Sequence, residues 1–274
     1  DAIAASKLGQ VLAVAERLDT LAGGFAAGLK PTGNKDPFAL RRNALGLART
    51  LLEGGFDLRL DQLLGKAYLN VYEYCMTSAE QQAAAEAISD KPGFWKKWLA
   101  ELEALKGDDH ADRYLEIQQF ILDRLRGYFA DKGYSERHFD AVNAVALESL
   151  PDFAKRLAAI AEFAGMPEAE ALAAANKRAA NILRKSAEEA AGSVDPALLQ
   201  EPAEQELWQA LQAAEDALAP MLKSRDYIGV LRALAGLRKP VDAFFEGVMV
   251  NADDRKVRGN RLALLQVLTD QFNA

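Results

Sequence analysis

Apolar residues recur every three or four positions along most of the chain, which is the spacing of one face of an α-helix. Period-two alternation is absent, and no Asn-Gly or Asp-Gly turn separates two apolar runs, so strands are not predicted. The pattern therefore predicts an all-α, multi-helix fold. In the first segment, which we expect to be helical from about residue 3 to 21, the apolar positions are Leu8, Val11, Leu12, Ala15 and Leu18.

Capping residues, glycines and prolines set the expected ends of the helices. Gly23, Gly24 and Gly28 are expected to end the first helix. Asp36-Pro37 is the expected N-cap and first residue of the second, which should stop at Gly54-Gly55. The remaining helices are expected near residues 61–74, 94–105, 111–129, 135–149, 151–164, 167–186, 202–220, 224–236, 240–250 and 254–273. We expect two domains, residues 1–132 and 133–274.

Length and composition narrow the class of protein. A chain of 274 residues that is half hydrophobic can bury a substantial core. The single cysteine, Cys75, cannot form an internal disulfide, which favours a cytoplasmic protein. No apolar stretch approaches the roughly 20 residues that span a bilayer, so no membrane association is expected. The chain opens in mid-pattern without a methionine, and we expect it to be a piece of a longer protein.

Charge is segregated along a chain whose net charge is −7. Residues 188–222 carry eight acids and no lysine or arginine, whereas residues 172–185 carry four cations and no acid. Residues 223–239 are again mainly basic. Such segregation can create a positive surface for a polyanion on an acidic protein. Ordinary solvated helix faces would give the same pattern, so both interpretations stay open.

Catalytic and metal-binding constellations are not apparent. The two histidines, His110 and His138, are far apart in sequence, and surface positions explain both. Cys75 has no nearby histidine that would activate it as a nucleophile. No GxSxG, HExxH or GxGxxG sequence is present. We therefore expect no catalytic residue, no metal ligand and no cofactor in this chain.

The segment KPTGNKDPFALRR, residues 30–42, has the glycine and lysines of a phosphate-binding loop. It lacks the Lys-Ser/Thr pair of a P-loop, and a helix instead of a strand precedes it, so that motif is rejected. A helix N-terminus at Asp36, flanked by Lys30 and Lys35, is a weaker candidate for a phosphate contact. The alternative is that the Asp36 carboxylate itself occupies the free amides.

The helix predicted at residues 167–186 is the best functional surface. Its apolar residues share one face, and a set of polar residues able to contact RNA lies opposite. Cations neutralise phosphates, and an asparagine can bond base edges. The set consists of Lys177, Asn181, Arg184 and Lys185, with Arg178 at its edge.

The last helix carries three arginines with different expected environments. Arg255 and Arg258 face outward and are further candidates for RNA contact. Arg261 falls within the apolar stripe, so we expect it to pair with an acid such as Asp242 or Asp253.

Several long segments resemble one known family. They are LAVAERLDTLAGGF, KPTGNKDPFALRR, ALGLARTLLE, ALAAANKRAANIL and LRKPVDAFFEGVMVNADDRKVRGNRLALL, spread over nearly the whole chain. They closely resemble the β subunit of the bacterial heterotetrameric glycyl-tRNA synthetase. The resemblance implies the end of an HD-type helical domain, followed by an anticodon-binding domain like that of arginyl-tRNA synthetases.

The resemblance also implies a division of labour. An α subunit would activate glycine with ATP and Mg²⁺, and the β subunit would bind the anticodon end of the glycine tRNA in an α2β2 assembly. HD-type hydrolases hold a metal with His and Asp residues, but Glu16 stands where the family's later Asp is expected, so phosphohydrolase activity is not expected. The other alternative is a helical module that assembles with the α subunit and makes no RNA contact.

Overall fold

The computed structural model describes residues 2–71, 73–74, 110–145, 149–186 and 192–273. Within these ranges the regular structure is helical, with two isolated bridge pairs and no sheet, which confirms the all-α prediction. The helix predicted near residues 94–105 lies outside the described residues, as does Cys75. Among the helices that are described, none is long and apolar enough to cross a membrane.

The helices follow the predicted order with shifted ends. Residues 60–71 are helical, and Pro196–Leu198 forms a short 3-10 turn. The other helices are α1 (Lys7–Ala26), α2 (Leu40–Glu53), α3 (His110–Asp131), α4 (Glu136–Asn143), α5 (Leu150–Ala164), α6 (Ala169–Lys185), α7 (Pro202–Ser224), α8 (Tyr227–Ala235), α9 (Arg238–Gly247) and α10 (Arg255–Asn273).

Helix α1 differs most from its prediction. It continues through Gly23 and Gly24 to Ala26, so the expectation that these glycines end the helix is wrong. A Cβ on Gly24 would lie 3.0 Å from the side chain of Leu40, so this glycine lets α1 and α2 approach closely. The helix ends before Gly28, which takes the left-handed conformation at φ +70°.

The predicted apolar stripe of α1 is also largely exposed. Leu8, Val11 and Leu12 are 71%, 50% and 61% exposed, and only Leu18 of the predicted set is buried. The residues of α1 that enter the core are Val14, Leu18, Leu21, Ala22 and Phe25.

Helix α2 begins at Leu40, three residues after the predicted start at Pro37. The Asp36 carboxylate nevertheless accepts hydrogen bonds from the backbone amides of Leu40 (2.8 Å) and Arg41 (3.0 Å). Asp36 therefore satisfies free amides, as the sequence suggested, but it does so across an irregular turn in which Ala39 is left-handed, at φ 53°.

The chain divides into two compact units, residues 1–154 and 155–274. In unit 1, α1, α2 and α3 pack together, and α4 packs on α3. In unit 2, α6 packs on α9 and α10, and α7 packs on α8, α9 and α10. The core of unit 2 includes Ala179 of α6, Phe244 of α9, and Leu264, Leu265 and Leu268 of α10.

Candidate nucleic-acid interface

Helix α6 presents its predicted polar residues to solvent. Leu172 and Ala179 are buried, and Ala175, Ile182 and Leu183 pack partly buried on the same side. At 3.6 residues per turn, the polar residues fall within an arc of roughly 120° opposite that side. The exposed set is Lys177, Arg178, Asn181, Arg184 and Lys185, and the structure brings all five together.

The positive charge of this face is not paired with acids among the described residues. No acidic side chain pairs with Lys177, Arg178 or Lys185 in the part of the chain that the structure describes. In the described residues, the exposed acids that follow lie before α7 or on it, at Asp195, Glu201, Glu206, Glu215 and Asp216. Within the described residues, the cations of this segment therefore lie on α6 and the exposed acids that follow lie outside that helix.

Asn181 and Arg184 are joined on the surface of α6. The Arg184 Nη2 donates to the Asn181 Oδ1 over 3.1 Å. This bond orients the amide and uses one lone pair of its oxygen. The amide NH₂ group is a hydrogen-bond donor, so it can bond to acceptor atoms on bases and phosphates.

Arg178 makes a contact that the sequence analysis missed. Its guanidinium carbon lies 4.4 Å from the ring centroid of Phe245, which is only partly buried. Phe245 follows the fully buried Phe244 on α9, so the first ring enters the core and the second lies at its edge. The consecutive Phe-Phe pair in the sequence could have indicated this arrangement. Adjacent residues on a helix point about 100° apart, so one ring can enter the core while the next lies at its edge.

The two outward arginines of α10 lie at its beginning. Arg255 is exposed, and Arg258 is half-buried and donates from Nη1 to the carbonyl oxygen of Ala252 over 2.8 Å. Arg258 therefore supports the turn before α10. The part of α10 that packs in one buried cluster with α6 comes later in the helix than these two arginines. That Arg255 and Arg258 contribute to the α6 surface therefore stays a prediction.

Arg261 is buried and ion-paired, as expected, but with a different acid. Its Nε lies 2.6 Å from Oε1 of the fully buried Glu204, and its Nη1 donates to the Met249 carbonyl oxygen over 2.8 Å. The partners Asp242 and Asp253 were therefore wrong, and Asp242 pairs instead with Arg238 at 3.5 Å. The network connects α10 to the start of α7 and to the loop after α9.

The Lys30–Lys35 loop in unit 1 is largely engaged with the protein itself. The Lys30 Nζ lies 2.6 Å from a Glu116 carboxylate oxygen on α3. The backbones of Lys35 and Thr32 exchange two hydrogen bonds in a turn, and the Asp36 carboxylate occupies two amides at the start of α2. A phosphate contact by Lys30 and Lys35 stays a prediction without further support.

Metal ligands do not cluster in the described residues, where no group of three His, Cys, Asp or Glu side chains is suitably placed. Glu16, at the position compared with HD-type hydrolases, accepts a hydrogen bond from the Thr20 hydroxyl over 3.3 Å. His138 follows the N-cap Ser135 of α4, and its backbone amide donates to the Ser135 hydroxyl oxygen.

Two family models match this chain, one in each part. Residues 172–274, from α6 to α10, match the family described as the DALR anticodon binding domain. Residues 1–144 match the family described as the glycyl-tRNA synthetase beta subunit. Because this second match covers more than half of the chain, the chain belongs to the glycyl-tRNA synthetase beta subunit family.

Bacterial relatives agree with this assignment over the whole chain. The glycine–tRNA ligase beta subunit of Xanthomonas campestris pv. campestris (strain B100) is 52% identical over 274 residues, which are 100% of this chain and 35% of the relative. The corresponding subunit of Xylella fastidiosa (strain M12) is 50% identical over 98% of this chain and 37% of its own length. The beta subunit of Methylobacillus flagellatus is 43% identical over 273 residues, which are 100% of this chain and 34% of the relative. The chain thus spans about a third of these relatives.

Proposed function

We propose that this chain is the tRNA-recognition portion of a glycyl-tRNA synthetase β subunit. Unit 2 binds the anticodon end of the glycine tRNA, and an α subunit attaches glycine to the acceptor end using ATP and Mg²⁺. The chain supplies no catalytic residue, and the assembly is a cytoplasmic α2β2 tetramer. The observation that carries the proposal is the exposed α6 face, where four cations and Asn181 lie together in a segment that matches an anticodon-binding family.

The α6 face has the chemistry that such a role requires. From Lys177 to Lys185 the helix rises roughly 12 Å, which is several times the axial spacing of the charges on one strand of a duplex, about 3.4 Å. Its cations can therefore contact more than one phosphate and fix the position of the RNA. Bases in an unstacked anticodon expose their edges, and Asn181 lies among the cations where it can bond to them.

Binding of glycine tRNA to the whole chain tests the proposal. We expect the wild-type chain to bind this tRNA and to bind an anticodon-swapped version more weakly. Replacing Lys177 and Arg178 by alanine should weaken binding and lower the slope of log Kd against log salt by about 1 to 2, because the phosphate contact of Lys177 is lost together with the positive charge of Arg178. Filter-binding titrations at several salt concentrations measure both quantities.

A charge-matched variant controls for the loss of two positive charges. Lys223 and Lys239 are exposed cations of unit 2 on α7 and α9, and their double alanine variant changes the net charge by the same amount. It should bind nearly as the wild type does. Equal losses in both double variants would mean that α6 is not the site, and equal binding of both tRNAs would contradict anticodon recognition.

Assembly with the α subunit is a second candidate role, and it is favoured by α1 in unit 1. Leu8, Val11 and Leu12 form an exposed apolar stripe at helical spacing. Contiguous exposed apolar surface is typical of protein interaction sites. Capture of purified α subunit by the wild-type chain, but not by a Leu12→Glu variant, would support this role.

A further inference from the structure

We propose that Arg178 and Phe245 form a stacking platform for one unpaired base of the bound RNA. The inference rests on the proposed tRNA binding by unit 2 and assigns a role in it to Phe245. The platform is the plane of the Arg178 guanidinium, held from below by the Phe245 ring.

The contact with Phe245 positions the guanidinium of Arg178. Its carbon lies 4.4 Å from the centroid of the Phe245 ring, within the range of a favourable cation–π contact. Phe245 is itself held by the buried Phe244, whose ring centroid lies 5.6 Å away at an interplanar angle of 77°. The guanidinium therefore lies over the ring, while Arg178 as a whole is exposed to solvent.

The electrostatic environment keeps this arginine available for a ligand. In the described part of the chain the partner of Arg178 is an aromatic ring and not a carboxylate, so its charge is not neutralised. This differs from Arg232 and Arg238 of the same unit, which pair with Glu162 (2.5 Å) and Asp242 (3.5 Å).

A flat cation of this kind suits an unpaired nucleobase. Bases that are splayed out of a single-stranded loop stack on arginine planes as well as on aromatic rings. A side chain already held in one orientation loses less conformational freedom when the base arrives. Neighbouring residues complete the subsite, because Lys177 can reach the adjacent phosphate and Asn181, one turn along α6, can bond the edge of a base.

Substitutions that preserve net charge separate stacking from electrostatics. In the whole chain, Arg178→Lys keeps the positive charge but removes the plane, and Phe245→Leu removes the support. We expect each variant to raise the Kd for the glycine-tRNA anticodon stem-loop about tenfold at every salt concentration, with an unchanged salt slope. A 2-aminopurine base placed in the anticodon should show a smaller fluorescence change on binding to either variant.

Matched controls exist in the same unit. Arg232→Lys preserves the charge at an arginine on α8. Phe272→Leu makes the same change from an aromatic to an aliphatic side chain as Phe245→Leu, at a partly buried phenylalanine on α10. Both should bind the stem-loop as the wild type does, with thermal unfolding like that of the corresponding platform variants.

The possible results distinguish this inference from the function on which it rests. If the wild-type chain discriminates between anticodons but Arg178→Lys or Phe245→Leu binds within twofold of it, the platform is overturned and the proposed function stands. A lower salt slope with Arg178→Lys would also overturn it, because the substitution would then have broken a phosphate contact instead of a stack on a base. If the wild-type chain binds no tRNA, both are overturned.

Discussion

Glu204 and Arg261 form a buried ion pair that joins two helices of unit 2. Besides accepting from Arg261 over 2.6 Å, the Glu204 carboxylate accepts from the backbone amides of Gln200 and Glu201 over 2.8 and 2.7 Å. One side chain therefore caps α7 and neutralises a buried guanidinium on α10. A buried ion pair adds little net stability over an apolar pair, but removing one partner leaves an uncompensated buried charge.

We expect Glu204→Gln to destabilise unit 2 strongly. The free energy of unfolding should fall by about 3 kcal/mol, and the midpoint of thermal unfolding by roughly 10 °C, because Arg261 stays charged in the core. Differential scanning calorimetry measures the shift. Glu206→Gln, an exposed position on the same helix, should change the midpoint little. A midpoint for Glu204→Gln equal to that of the control would show that the buried pair does not hold α7 on α10.

At the scale of single residues, the sequence predicted which side chains are buried better than it predicted their contact partners. The apolar spacing around Arg261 placed it correctly in the core, because helical periodicity is a local property. Its acid lies 57 residues away at the start of α7, and no local pattern connects the two positions. The contact of Arg178 with Phe245 was missed for the same reason, since it depends on how α6 and α9 pack.

At the scale of elements, α2 and α3 are joined by a polar cluster at their surface. The Arg49 Nε lies 2.6 Å from Oε1 of Glu53, and the Tyr128 hydroxyl donates to the same oxygen over 3.2 Å. The hydrogen bond from Arg49, together with its charge, lowers the pKa of Glu53 below its usual range, and the same contact raises the pKa of Arg49.

The lowered pKa of Glu53 predicts a pH dependence of stability. A carboxylate whose pKa is lower in the folded state stabilises the protein above its unfolded pKa, about 4.3 for glutamate, and this contribution is lost as pH falls through the folded value. Glu53→Gln should therefore lower the free energy of unfolding at pH 7 by about 0.5 kcal/mol, since the pair is partly exposed. The difference from wild type should vanish in acid.

Thermal unfolding measured from pH 7 down to pH 3 tests this expectation. Asp131→Asn, which removes a negative charge from an exposed position on α3, serves as the control. A difference between Glu53→Gln and wild type that stays constant with pH would contradict the assigned role of the carboxylate.

The order of the helices could be derived from the sequence. The face that each helix buries could be derived for some helices only. For α6 the apolar and cationic faces are opposite, so the pattern determined the orientation. Apolar residues of α1 lie on more than one face, and the stripe chosen from spacing turned out to be mostly exposed. Periodicity identifies a helix, whereas the choice between two apolar faces depends on which neighbours pack there.

At the scale of the whole molecule, the two units carry surfaces of opposite character. Unit 1 exposes an apolar stripe on α1, and unit 2 exposes a cationic face on α6. Apolar exposure suits a protein partner, and uncompensated cations suit a polyanion. The division of labour in the proposed function corresponds to this difference, and the boundary between the units lies between Ala154 and Lys155. The sequence placed the division near residue 133 because a new capping pattern begins there.

Because the two surfaces belong to different units, we expect their effects to be separable in the same chain. Leu12→Glu should abolish capture of the α subunit and leave the Kd for glycine tRNA within twofold, whereas the double alanine variant at Lys177 and Arg178 should do the reverse. Pull-down of purified α subunit and tRNA titration on each variant measure both activities. Leu115→Glu, at a leucine on α3 that is 47% exposed, controls for the added charge and should affect neither. If Leu12→Glu abolished both activities while retaining wild-type thermal unfolding, the two functions would not be divided between the units, and α1 would contribute to the tRNA site.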